Sequence, residues 1–315
     1  MFIPEIKSKV NEDISILLKL DNHSHHYICE CGDASGLTVK DCQNAQAIFI
    51  SHTHIDHFIN FDTILRHQIG IEKRIIICGP EGIIRQVQSK IKGFTWNLIE
   101  KGAIIYEVRE IVNENLIRRY EIEPPLWEIK PLEPITNGLV FQTERFDVHF
   151  TLLDHKIPSV AYLFKEQDSI KIDMSNSEFR GGKWVRELKT AFEKKEETKP
   201  ILIEDTTYEA KDLFHLLEVK KGHTLGVIMD HAAHESNHQK IKDLFANCDT
   251  VLIESFYKAE DQEQAEANYH SYSTQSGNIM KACGVKEAIP VHFSRRYKEE
   301  DIQILLAEFE QAFRG

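Results

Sequence analysis

Apolar and polar positions change period along the chain, and those changes mark out its elements. In the first half, short apolar runs bounded by turn residues predict strands at Ile14–Leu20, His26–Cys31, Ala47–Ser51 and Arg74–Cys78. A helix is predicted over Phe58–Gln68. Phe146, Val148, Phe150 and Leu152 alternate with Asp147, His149 and Thr151, the period of a half-buried strand. In the second half strands and helices take turns. Thr224–Asp230, Thr250–Glu254 and Ala288–His292 read as strands. Asn237–Ala246, Thr274–Cys283 and Glu299–Phe313 read as helices, with Thr274 as an N-cap. Strands interleaved with helices predict an α/β fold. The lysine-rich Glu193–Pro200 reads as an exposed connection rather than a domain boundary, within one domain spanning residues 1–315.

The candidate chemistry begins where strand Ala47–Ser51 runs into His52-Thr53-His54-Ile55-Asp56-His57. Four metal-ligand side chains fall within six residues. In extended backbone, His52 and His54 point to the same side. Asp56 and His57 follow as the chain turns toward a helix and face a second position. Other apolar strands end in ionisable residues as well: Phe150–Leu153 leads to Asp154-His155, Gly226–Met229 to Asp230, Val251–Ile253 to Glu254, and Ala288–Val291 to His292. In α/β sheets the carboxyl ends of strands converge on the site. The turn His23-Ser24-His25-His26, opened by Asn22, has no carboxylate at ligand spacing and reads as surface. His231, His234 and His238 read either as pocket-mouth residues or as solvated helix-start residues, and Cys29 and Cys31 as packed strand residues.

Composition narrows the class. The chain has 315 residues, 42% hydrophobic and 28% charged, ordinary for a globular protein. No apolar run approaches the ~18 residues of a membrane span, and the N-terminus lacks a basic start followed by an apolar stretch. The expected location is therefore the cytoplasm, with the six cysteines as reduced thiols. The net charge of −12 disfavours non-specific coating of nucleic acid, which relies on a broad basic surface, but leaves room for a local basic patch. No dinucleotide-binding glycine fingerprint, phosphate-binding Walker loop or serine nucleophile elbow is present.

Several further segments follow the His52–His57 motif in order: Gly79-Pro80-Glu81-Gly82 after a strand, His155-Lys156-Ile157-Pro158-Ser159-Val160-Ala161-Tyr162, Asp230, Glu254, His270-Ser271, and Val291-His292-Phe293-Ser294-Arg295-Arg296-Tyr297. Together they resemble the metallo-β-lactamase fold superfamily, and within it ribonuclease Z, over nearly the whole chain. The resemblance implies a four-layer αβ/βα sandwich with two mixed sheets flanked by helices. It implies that His52, His54 and His155 bind one metal, that Asp56, His57 and His292 bind a second, and that Asp230 bridges them. Imidazoles with carboxylates suit zinc, with manganese or iron as alternatives. Asp56 would hold or deprotonate the nucleophile. His270 would be the proton donor, oriented by Glu254. Ser294, Arg295, Arg296 and Tyr297 would touch the substrate.

The family's long Gly/Pro-rich arm is not visible between His155 and Asp230. Residues 165–200 could hold a shortened version in which Lys183 and Arg186, with Arg180 and Lys189, touch an RNA backbone and Trp184 stacks on a base. The competing and favoured reading is an amphipathic helix with Trp184, Leu188 and Phe192 packed inward. The function implied is that of a dinuclear metal-dependent hydrolase that cleaves phosphodiesters, with precursor transfer RNA as substrate and a homodimer as its assembly. A hydrolase of the same fold acting on a small phosphodiester or a lactone is the first alternative. A non-catalytic metal-binding scaffold is the second, and it predicts a missing ligand or proton donor where none is missing.

Overall fold

In the computed structural model, the apolar segments of the first half build one eight-stranded sheet whose strands neighbour one another in chain order. These are β1 (Phe2–Ile6), β2 (Ile16–Leu20), β3 (His26–Cys29), β4 (Ala45–Phe49), β5 (Arg74–Pro80), β6 (Ile105–Asn113), β7 (Leu116–Ile122) and β8 (Lys130–Ile135). Strands β3 to β6 run parallel, and antiparallel pairs flank them. A second sheet takes β9 (Phe141–Gln142), β10 (Phe146–Asp154) and β11 (Pro158–Glu166). After β12 (Ser169–Ile172), β13 (Pro200–Ile203), β14 (Thr206–Glu209) and β15 (Leu217–Lys220), it is completed by β16 (Thr224–Ile228), β17 (Thr250–Glu254) and β18 (Glu287–Val291). Its order is β18-β17-β16-β11-β10-β9. The helices are α1 (Val39–Asn44), α2 (Ile55–Phe58), α3 (Phe61–Gln68), α4 (Ile83–Lys92), α5 (Lys183–Glu193), α6 (Ala210–Leu213), α7 (Glu235–Phe245), α8 (Gln262–Asn268), α9 (Ser273–Ala282) and α10 (Glu299–Arg314). The structure describes residues 1–21, 23–173 and 179–315. Asn22 of the predicted histidine-rich turn and 174–178 of the expected arm lie outside these.

The two-residue period of the strands decides the layers. On β2, Ile16, Leu18 and Leu20 enter a core shared with Phe146, Val148 and Phe164 of the second sheet, while Leu17 joins the core beneath α3 and α4. On β17, Leu252 faces the core between the sheets, whereas Val251 and Ile253 pack against Phe245 of α7 and Phe309 of α10. Helices therefore cover the outer face of each sheet, giving the expected four-layer αβ/βα sandwich with two mixed sheets. These layers form one compact unit, residues 1–165 and 224–315. Residues 166–223 form another, in which β12 pairs with β15, β13 pairs with β14, and Trp184, Leu188 and Ala191 of α5 pack with Ile201, Ile203 and Leu213. Glu193–Pro200 is exposed for most of its length and lies inside this second unit.

Several boundaries differ from the sequence-based ones. Phe2–Ile6 is a strand despite Pro4, which an edge strand tolerates because its missing N–H costs no ladder bond. The helix expected over Phe58–Gln68 is two helices, because the Asn60 N–H donates to the Cys31 carbonyl (2.9 Å) instead of continuing the first helix. Helix α9 begins at Ser273 and has Tyr272 as its N-cap, so Thr274 lies inside the first turn. The bridge between Tyr257 and Tyr272, with the Ser273 N–H bonded to the Tyr257 carbonyl (2.8 Å), sets that start.

Candidate metal centre

The predicted ligands meet at the carboxyl ends of the inner strands of the larger unit. β4 delivers His52 and His54, whose ring centroids are 4.4 Å apart. α2 follows at once and carries Asp56 and His57. Its position is set from below: the Cys31 N–H donates to the His57 carbonyl (2.8 Å), and Gly32 is required because a Cβ there would lie 2.5 Å from the Asp56 carbonyl oxygen. β10 ends at Asp154 and presents His155. β16 leads to Asp230, β17 ends at Glu254, and β18 leads to His292, whose φ of +57° turns the chain out of the strand.

Asp230 is the centre of this convergence. Its Oδ2 lies 3.7 Å from His52 Nε2 and 3.5 Å from His155 Nε2. Its Oδ1 lies 3.2 Å from His57 Nε2 and 2.9 Å from His292 Nδ1. Asp56 Oδ2 is 3.7 Å from His57 Nε2 and 3.4 Å from His292 Nε2. Three groups of donor atoms result, His52-His54-His155-Asp230, Asp56-His57-His292 and Asp230-Glu254-His270, with the atoms of each group within 4.8 Å of one another, and the first two are those expected from the sequence. The seven ligands expected from the sequence are thus brought together, with the carboxylate of Asp230 facing both groups.

The donors fit divalent ions. His52 Nε2 is buried without a hydrogen-bond partner, and His57 Nε2, Asp230 Oδ1 and His292 Nδ1 lie close as charged pairs without a well-formed hydrogen bond, an arrangement that is costly unless something satisfies it. Burial lowers the pKa of His52 and His54, holding the neutral imidazole that binds metal. Burial also works to lower His57 and His292, but the negative charge of Asp230 outweighs it and raises both. The carboxylates of Asp56 and Asp230 are the negative charge at the centre that would face a bound cation.

Four partners that sequence reasoning did not find hold these ligands. Glu30, fully buried at the end of β3 with φ +65°, accepts from the Ser51 N–H (2.9 Å) and pairs with His57 Nδ1 (3.0 Å). Ser51 Oγ meets His52 Nδ1 (3.0 Å), and the Tyr269 carbonyl accepts from His155 Nδ1 (2.6 Å). Asn237 of α7 bonds both the N–H and the carbonyl of Asp154, fixing the end of β10. An acid set among apolar residues at the end of a predicted strand is the signal the sequence offered for Glu30. The other three act through a common side chain or a main-chain carbonyl and left none.

His270 lies against the centre. Its ring stacks on Phe256 at 3.9 Å, and its Nδ1 bonds Glu254 Oε1. Glu254 Oε2 accepts from Ser271 Oγ (2.8 Å) and the Ser271 N–H (3.1 Å). Burial works against protonation of His270, but the charge and hydrogen bond of Glu254 prevail and raise its pKa. The remaining candidates are placed differently. Arg295 pairs with Asp13, and Arg296 bonds Gln264 and lies 5.3 Å over the Tyr257 ring. Ser294 donates its N–H to the Phe256 carbonyl, and Tyr297 bonds Asp261 and the Lys258 N–H, so both shape the loop after β18. Lys183 and Arg186 are exposed on α5 of the second unit. Trp184 is buried and donates to the Arg180 carbonyl (2.9 Å), as the amphipathic-helix reading expected, so it offers no face for stacking. His231 is fully buried rather than solvated, with Nδ1 on the Met229 carbonyl (2.8 Å). His234 N-caps α7.

No family model matches the chain. Among curated proteins it is 24% identical over 295 residues to ribonuclease Z of Deinococcus radiodurans, covering 91% of this chain and 87% of that one. It is 29% identical over 258 residues to ribonuclease Z of Methanocaldococcus jannaschii, covering 81% and 71%. Among solved structures it resembles the metallo-β-lactamase fold protein YhfI of Bacillus subtilis (TM-score 0.58, 13% identity, 100% and 94% covered). It also resembles the short form of human tRNase Z (TM-score 0.55, 16% identity, 90% and 86% covered). The solved structures share its sandwich and the curated relatives run along most of its length: the chain has the metallo-β-lactamase fold and is similar to ribonuclease Z over most of its length.

Proposed function

We propose that the chain is a metal-dependent endoribonuclease that cleaves the phosphodiester at the 3′ end of precursor transfer RNA. One observation carries the reading: a buried carboxylate, Asp230, stands between two groups of metal donors, with a histidine-carboxylate pair, His270 and Glu254, beside them. The first group would hold one divalent ion and the second another, zinc being the best match to imidazole and carboxylate donors. Bound there, the ions would bring the pKa of water toward ~7 and take up charge on the phosphoryl oxygens.

The side chains supply the rest. Asp56, on the open side of the second group, orients the attacking water and accepts its proton. His270 gives a proton to the leaving ribose 3′-oxygen. Glu254 fixes the ring so that Nε2 is the donating atom, and Phe256 holds its plane. Arg295 and Arg296 are proposed phosphate contacts that would have to leave Asp13 and Gln264 to serve, and Lys183 and Arg186 are proposed as phosphate contacts of the second unit by itself. A homodimer and a cytoplasmic location remain part of the proposal. The test has two arms. Elemental analysis of protein purified without chelator should approach two ions per chain. The metal-loaded protein should release the 3′ trailer from a precursor transfer RNA. A reproducible metal content of one or less, unrestored by added zinc or manganese, would sink the dinuclear centre. Hydrolysis of small diesters without trailer release would reassign the substrate.

A further inference from the structure

A cavity of about 250 Å³ opens beside the metal centre between the β1–β2 loop and the end of β18. Its walls include Ile6, Val10, Ile14, Pro290 and Phe293, and it shares His292 with the centre. Ile6 and Val10 are 45% and 51% exposed, apolar surface left to water at the rim of a charged site. The loop that forms one wall is fixed at two points. Glu12 accepts from the Lys9 N–H, the Ser35 N–H and Ser35 Oγ, all within 3.0 Å. These bonds lower its pKa to about 2 and keep it charged at neutral pH. Next to it, Asp13 is paired with Arg295. The slot is thus formed before any ligand arrives, which lowers the cost of binding.

We infer that this slot takes the nucleobase next to the phosphate held at the metal centre. This rests on the phosphodiesterase reading and names a subsite for it. The volume lies below the ~300–1,000 Å³ of pockets for drug-sized ligands, and so suits a single flat base rather than a peptide or a helix. The walls are apolar on both sides, and every base offers an apolar face. The polar lining is only partly occupied: Ser8 Oγ accepts from the Ser15 N–H (2.8 Å) and Glu12 Oε2 takes three bonds, while Glu12 Oε1 has only the ammonium of the exposed Lys9, at 3.7 Å. The apolar walls recognise the presence of a base, and Lys9 and Glu12 Oε1 are the lining groups able to meet its edge. His292 belongs both to the slot's lining and to the second donor group, so the slot adjoins the place where a phosphate would be held.

The test uses the zinc-loaded protein and two dianionic probes, thymidine 5′-monophosphate and methyl phosphate, with affinities from calorimetry. The protein should bind the nucleotide about tenfold more tightly, the size of one modest stacking contact. Val10→Trp, which fills the slot from an exposed loop position, should bring that ratio close to one, and Val10→Ala should keep it. Equal affinity for the two probes, or a ratio untouched by Val10→Trp, overturns the slot. Hydrolysis of methyl p-nitrophenyl phosphate by the same preparation reports on the centre independently. Its absence would count against the phosphodiesterase reading, while the affinity ratio still decides the slot.

Discussion

His270 and Glu30 show what individual side chains do around the shared ligands. His270 lies outside the two groups expected as ligands, though with Asp230 and Glu254 it forms a third possible donor group, and its ring is held by Glu254 at Nδ1 and by Phe256 across its face. A general acid of this kind typically supplies about 10²–10⁴-fold, and only when the leaving group needs a proton. His270→Ala should therefore keep full metal content and lose that much activity on a ribose-leaving substrate, but far less on p-nitrophenyl esters. Equal losses on both would assign His270 to binding or support. Glu30 acts on a ligand from behind, fixing the tautomer of His57 through Nδ1. Removing such a partner typically costs 10–100-fold in metal affinity. Glu30→Gln, which keeps the size of the buried side chain, should weaken one of the two ions by about that factor. Titration with a metal-sensitive chelator checks this. Weakening of neither ion would reduce Glu30 to a packing role.

At the scale of elements, two contacts govern how firmly the site is carried. Helix α9 holds the end of β17 through Ser276 Oγ, which donates to the Glu254 carbonyl (2.8 Å), and α9 in turn packs on α10 at Gly277. A Cβ at Gly277 would lie 2.5 Å from the Phe309 carbonyl oxygen and 2.9 Å from the Ala312 Cβ. Alanine gains up to about 1 kcal/mol in helix propensity. Overpacking against backbone costs about 1–3 kcal/mol, so the clash should win. Gly277→Ala is expected to lower the urea midpoint, and a raised midpoint would show that the helices separate freely. The β6–β7 hairpin carries a different device. Burial works to raise the pKa of Glu107, but bonds from Arg119 and Arg109 (both 2.9 Å) hold it below 4.5. A carboxyl lowered on folding adds stability that is complete above the unfolded value and lost as pH falls through the folded one. Urea midpoints should fall below pH 4.5, and Glu107→Gln should flatten that limb. An unchanged acid limb in the variant would exclude Glu107 as its source.

At the scale of the whole molecule, a buried donor cluster that holds metal would tie stability to it. Ions that bind only the folded chain stabilise it by RT ln(1 + [L]/Kd), about 4 kcal/mol at a thousandfold excess over Kd. Chelation should lower Tm by several degrees, and added zinc should restore it. A Tm indifferent to both would mean that these buried donor atoms are satisfied some other way. The sequence by itself determined the α/β class and which residues are candidate metal ligands, and the family resemblance supplied how those candidates would group. His52 to His57 lie within one turn of chain, so their spacing alone implies shared geometry, and His155, Asp230, Glu254 and His292 each follow an apolar strand whose end is predictable from its period. Only the tertiary structure decided the rest. Glu30 reaches His57 across 27 residues, and the Tyr269 carbonyl reaches His155 across 114, so no local pattern encodes either. The break between α2 and α3 depends on the Cys31 carbonyl, and the start of α9 on the bridge to Tyr257. Periodicity reports which face of an element is buried; what that face meets is set when distant strands close on one another.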